Sequence, residues 1–143
     1  MKLATALRNW MVSGTSGGSF GEFFDGGSIK VYSGTILTHA DDSITDQVSL
    51  VTNAYSATAY GDASGGSISA NAITGAAGDN SGVPSFALLL NSSGIPGALV
   101  TVGKVGGTEE LLIDTTNEDN DPYVTAGGTT TVTSLTHTIP EGS

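Results

Sequence analysis

The 143-residue sequence contains no cysteine. Disulfides, thiolate metal sites and cysteine nucleophiles are therefore excluded. Basic residues are nearly as scarce: four Lys and Arg stand against fourteen Asp and Glu, a formal charge of −10. Phosphate binding is dominated by Lys and Arg, so neither nucleic acid nor an anionic lipid surface is an expected partner. No apolar run approaches the ~18 residues of a membrane span, and the N-terminal segment lacks the apolar stretch of a secretory leader. No membrane contact is expected.

What is abundant is small and hydroxylated. Glycine (21), threonine (19) and serine (17) together make 57 of the 143 residues. Gly costs roughly 1 kcal/mol at a helical position, and β-branched Thr prefers strands. The apolar fraction of 38% is ordinary, so the chain is not expected to be disordered. Length and composition predict one small all-β domain with Gly-rich turns and half-exposed, Thr-rich strands.

Residues 1–12 are the exception. Leu3, Leu7, Trp10 and Met11 recur at helical spacing and predict a three-turn amphipathic helix, with Gly14 as its C-cap. So short a helix is marginal alone, and its apolar face must bury against the β-domain or another chain. Residues 15–19 read as a flexible linker, which divides the chain into an arm over 1–19 and a β-domain over 20–143.

Phe20, Phe23 and Phe24 open the second part as an aromatic knot. Strands are predicted around Ile29 and Val31, over 48–51, over 67–73 where period-2 alternation is clear, over 83–90, 99–105 and 109–113, and finally over 129–139. In the 83–90 strand Phe86, Leu88 and Leu90 share one face and Ala87 and Leu89 the other, so it should be central and buried on both sides. About eight strands separated by Gly turns favour a β-sandwich, immunoglobulin-like or jelly-roll.

The chemical motifs are weak. Gly14-Thr15-Ser16-Gly17-Gly18 matches the string of a nucleophile elbow, but that turn requires a strand before it and a helix after. His39 and His137 are the only imidazoles, and their spacing suggests neither a metal site nor a catalytic pair. Each is expected to face solvent. Asp114, Asn117, Asp119 and Asp121 place oxygen ligands in an acidic loop over 114–121, a candidate Ca²⁺ or Mg²⁺ site. Pro122 stands where an EF-hand loop needs Gly, so an ordinary acidic loop is the stronger reading. Asp41 with Asp42, and Glu109 with Glu110, are adjacent pairs, which a strand would point to opposite faces rather than join as a glycosidase couple. Tyr32, Tyr55 and Tyr60 could form a carbohydrate-binding face, although packing at the core edge is the commoner use of such residues. No enzyme and no cofactor is expected.

Four stretches carry a resemblance: Leu3-Ala4-Thr5-Ala6-Leu7-Arg8-Asn9, Ser28-Ile29-Lys30-Val31-Tyr32-Ser33-Gly34, Ala70-Asn71-Ala72-Ile73-Thr74, and the run from Gly127-Gly128-Thr129 through Thr138-Ile139-Pro140. They resemble a group of small tailed-bacteriophage structural proteins, over most of the chain. The resemblance implies a virion location and carries no catalytic residues. The chain departs from that pattern in its Gly-rich insertion at 14–18 and its acidic loop at 114–121.

An acidic β-domain with a helical arm suits a protein that coats a larger assembly. The expected role is a capsid decoration (cement) protein on the outer shell, away from packaged DNA. Its partners would be the major capsid protein and copies of itself, with Leu3, Leu7, Trp10 and Met11 as the anchor. A tail tube or minor tail protein is the alternative within the virion. A carbohydrate- or receptor-binding β-module is the alternative outside it.

Overall fold

A computed structural model describes residues 1–115 and 122–139. Among the described residues the chain is all-β apart from two short helices. In order it forms β1 (Lys2–Leu3), α1 (Thr5–Val12), α2 (Phe20–Phe23), β2 (Ser28–Ser33), β3 (Val48–Ala54), β4 (Ser67–Ser69), β5 (Ala76–Ala77), β6 (Phe86–Leu90), β7 (Pro96–Lys104), β8 (Leu111–Thr115) and β9 (Thr129–Thr138). Hydrogen bonds run through one mixed sheet in the order β3-β2-β6-β7-β8-β9-β4, with β1 added to β7 and β5 to β9. The sheet curls until β3 meets β5 and β9, which gives a sandwich-like body from a single hydrogen-bonded path.

Alternation decides which face each side chain takes. In β6, Ala87 and Leu89 point into the main core with Ile29, Val31, Leu50, Val51 and Val100. Phe86 and Leu88 point the other way and meet Tyr32, Leu99, Leu37 and Ala40. Leu37 and Ala40 belong to the 34–47 connection, which folds over the outer face of β2, β6 and β7. The strand expected to be central lies between β2 and β7 and is covered on both sides.

The β7–β8 pair is less ordinary. It is parallel, with Val102 opposite Leu111 and Lys104 opposite Ile113, yet only residues 105–110 connect the strands. Parallel partners usually need a dozen or more connecting residues. Here the overlap is three residues long, about 10 Å to retrace, and Gly106 at φ +83° makes the reversal.

The N-terminal arm is docked on its own chain. β1 pairs antiparallel with β7, Lys2 opposite Leu99 and Leu3 opposite Ala98. Leu7 is fully buried in the main core, with Leu3 and Trp10 packed against it, while Ala4 belongs to the outer cluster. The arm thus crosses the edge of the sheet and helps to close both cores. Burying a leucine side chain is worth about 1.5–3 kcal/mol, which explains why so short a helix persists. Of the four positions assigned to anchoring, Leu7 is spent internally, Leu3 and Trp10 are partly buried, and Met11 remains exposed.

Local signals account for the helix ends. The N-cap of α1 is Ala4, which has no capping side chain. Asp41 supplies one from the covering loop: both its carboxylate oxygens accept from Thr5 N at 3.1 Å, and Oδ2 also accepts from Thr5 Oγ1 at 2.9 Å. A carboxylate is favourable at that end of a helix. The helix stops at Ser13, whose N–H and hydroxyl both donate to Asn9 O, rather than through a left-handed Gly14. The stretch read as linker ends on the N-cap of α2: Ser19 Oγ accepts from Glu22 N, and Glu22 Oε2 accepts from Ser19 N at 2.7 Å. That reciprocal pair is a capping box. Trp10 Nε1 donates to Ser19 O at 2.9 Å and ties the two helices together.

Gly97 makes room for the aromatic knot. A Cβ there would lie 2.5 Å from Phe23 and 2.8 Å from Phe24, so β7 admits both rings only because it lacks a side chain at that point.

Candidate functional site

The end of β9 is where chemistry-bearing side chains converge. Thr136 and Thr138 face outward, and their hydroxyls meet those of Ser69 and Ser67 on β4 at 2.9 and 2.6 Å. Leu135 and His137 face inward. His137 is 1% exposed, lying where an apolar residue would be expected, so its assignment to solvent was wrong. Burying a polar ring is costly unless its nitrogens find partners, and both of them do.

His137 Nδ1 lies 2.9 Å from Glu110 Oε2, just before β8. On the other side, Nε2 lies 2.8 Å from Tyr60 Oη, which is 2.9 Å from Tyr55 Oη. The second Glu110 oxygen accepts from the Met1 ammonium at 3.0 Å. With a neutral imidazole, one arrangement of protons satisfies every link. Tyr55 donates to Tyr60, Tyr60 donates to Nε2, and Nδ1–H donates to the carboxylate.

Burial pushes the Tyr55 and Tyr60 hydroxyls far above their usual range; for Tyr55 the neighbouring Tyr60 adds to the rise. Both therefore remain protonated donors. Burial also raises the Glu110 carboxyl, but the hydrogen bonds from His137 and the Met1 ammonium, with the charge of that ammonium, outweigh it and hold the group below its ordinary value. Aromatic rings seal the chain of contacts: Phe20 lies 5.1 Å from His137 and 5.4 Å from Tyr60, edge-on to each, and Phe24 lies 5.9 Å from Tyr60.

Beside this chain lies an apolar pocket of about 330 Å³. The arm supplies Met1, Leu3 and Met11 to its wall, α2 supplies Phe20, β4 supplies Ile68, and the chain beyond β9 supplies Ile139. His137 also borders it, with both ring nitrogens engaged elsewhere.

The other candidate residues do not join this place. His39 is exposed in the covering loop, beside the Asp42 carboxylate. Ser16 is exposed between two helices. Tyr32 stacks on Phe86 on the opposite face of the sheet, at 5.3 Å and 13°. With Tyr55 and Tyr60 also buried, the three tyrosines form no exposed face. Asp114 belongs to β8, opposite Thr131, rather than to a loop. Asn117, Asp119 and Asp121 lie outside the described residues. Among the described residues no group of three or more His, Asp or Glu side chains is placed to hold a metal ion. No helix among them is long and apolar enough to cross a membrane.

No protein-family model, curated protein or solved structure matches the chain.

The sequence carried one signal for the buried chain. His137 has the same parity as the apolar Leu135 two residues before it in the strand, so it belongs inside. Nothing local points to Glu110 as its partner, because that contact spans 27 positions.

Proposed function

We propose that the chain is a non-enzymatic structural protein of a tailed-bacteriophage virion. It would sit as a decoration (cement) protein on the outside of the capsid, against the major capsid protein and neighbouring copies of itself. The observation that carries this reading is how the titratable cluster is used. Glu110, His137, Tyr60 and Tyr55 saturate one another beneath aromatic rings and join the arm, β8, β9 and the 55–60 segment. Catalytic groups need an open position where a reacting atom can sit. These groups are committed to holding the body together.

Two further features support the reading. The resemblance to small phage structural proteins covers most of the chain, and a charge of −10 suits a surface facing away from packaged DNA. A shell repeats the same contact by symmetry, so modest interfaces suffice to hold many copies. Their effect would be mechanical: surface buried across neighbouring capsomers resists internal DNA pressure.

Add-back tests the proposal. Particles made without this protein should release their DNA at lower temperature than complete ones, and purified chain added afterwards should restore the difference. Particles that keep full heat resistance without it but fail to adsorb to cells would instead assign the chain to receptor binding.

A further inference from the structure

We infer that the apolar pocket between the arm and the β4–β9 end is a docking site for a protein segment presenting one large apolar side chain flanked by Lys or Arg. This deepens the virion reading by naming the chemistry of the partner, and it rests on that reading.

Three observations carry it. The first is shape and lining. The pocket has a volume of about 330 Å³ within almost wholly apolar walls, at the lower end of the ~300–1,000 Å³ range of ligand sites. A hydrogen-bonding group placed inside would lose its water and gain no partner. The occupant is therefore hydrocarbon in its buried part.

The second is the placement of methionine. The chain has two methionines, and both line this pocket, each 37% exposed. Flexible thioethers adapt to apolar partners of varied shape, and methionine is over-used at binding surfaces for that reason. Elsewhere the chain fills its core with Leu, Ile, Val and Phe.

The third is charge. None of the four Lys and Arg residues lines the pocket. Lys2 lies between two lining residues, but its ammonium is turned to the carbonyls of Leu37 and Thr38 in the loop over the outer face. The Met1 ammonium is held by Glu110. Two other carboxylates belong to its surroundings: Glu22 Oε2 accepts from the backbone N–H of the lining residue Ser19, and the exposed Asp62 precedes the lining residue Ala63 in the chain. An apolar hole in a chain of charge −10, with no Lys or Arg in its lining, is complementary to an apolar side chain between basic neighbours.

Two methionines allow a direct test. The full chain, labelled with ¹³C at the methionine methyls, is titrated with acetyl-Lys-Leu-Phe-Lys-amide, with its Glu-Leu-Phe-Glu counterpart, and with Lys-Gly-Gly-Lys as the apolar-free control. Both methyl signals should shift saturably with the first peptide. The acidic peptide should bind about tenfold or more weakly, and the glycine peptide should leave both signals in place. Ala63 is exposed at the pocket wall, so Ala63→Phe should block the mouth and abolish the shifts without lowering the melting temperature. Asp62→Lys should narrow the gap between the basic and acidic peptides.

Static methyl signals with the basic peptide, or equal binding of the basic and acidic peptides, would overturn the inference. If particle protection by the added chain survives that result, the virion reading stands and the pocket assignment alone is lost.

Discussion

The body contains two buried polar clusters, and they are built to different standards. At one end, Tyr55, Tyr60, His137 and Glu110 form a chain in which every polar atom has a partner. At the other, where β3 closes against β5 and β9, Asn53 and Thr130 are fully buried but only partly satisfied. Asn53 Nδ2 donates to Thr74 O at 2.9 Å and Thr130 O at 3.1 Å, while Asn53 Oδ1 and Thr130 Oγ1 have no partner among the described residues. A complete cluster holds its surroundings in one arrangement. An incomplete one carries the desolvation of its unpaired atoms as a standing cost. The first cluster should therefore be fragile to every deletion, and the second should tolerate or reward at least one.

The largest effect should come from His137→Ala. It takes one partner each from the Glu110 carboxylate, which keeps only the Met1 ammonium, and the Tyr60 hydroxyl, which keeps only Tyr55, and it opens a hole beneath Phe20, at a cost of about 3 kcal/mol. Urea denaturation measures it, and a loss below 1 kcal/mol would show that the chain of contacts contributes little. Tyr60→Phe should rank next, at about 2 kcal/mol, because it strands a partner on each side. Tyr55→Phe removes only the terminal hydroxyl and leaves Tyr60 donating to His137, so about 1 kcal/mol or less is expected. Equal losses for the two tyrosines would break the directional reading.

Acid sharpens the comparison differently. Glu110 is held below its ordinary value of 4.5, so its stabilisation is present above that value and disappears as pH falls through the lower, folded one. Denaturation midpoints of the natural chain should fall with pH in that window, and Glu110→Gln should flatten this part of the profile. An unchanged slope in the variant would remove Glu110 as the cause. The smallest effect, and the one of opposite sign, belongs to Thr130→Val. It deletes an unpaired buried hydroxyl at nearly constant volume and should be neutral or stabilising by up to about 1 kcal/mol. A loss of 2 kcal/mol would mean that this hydroxyl has a partner in solution.

Much of the sheet was legible because alternation survives where side chains are large. The two faces of β6 and the inward Ile29 and Val31 follow directly from it. The 67–73 stretch alternates as clearly, yet only Ser67–Ser69 pairs as a strand, since beyond it the chain turns away to bridge Tyr60 with Ala70 and Ala54 with Thr74. Serine at 19 followed by glutamate at 22 is a helix-start signature, but the surrounding glycines obscured it. Asp41 read as one of an adjacent acidic pair in a loop; its role as the cap of α1 depends on a contact 36 positions away. The candidate site was hidden for the same reason. Its four polar residues come from three separate parts of the chain, which the pairing of β8 with β9 and the packing of the 55–60 segment against β9 bring together.

The central claim is a location on the capsid exterior, and counting copies tests it most directly. Quantitative mass spectrometry of purified particles should give this chain in a fixed ratio to the major capsid protein, one per subunit or one per capsomer. A few copies per particle, or a number tied to the tail proteins, would contradict the account.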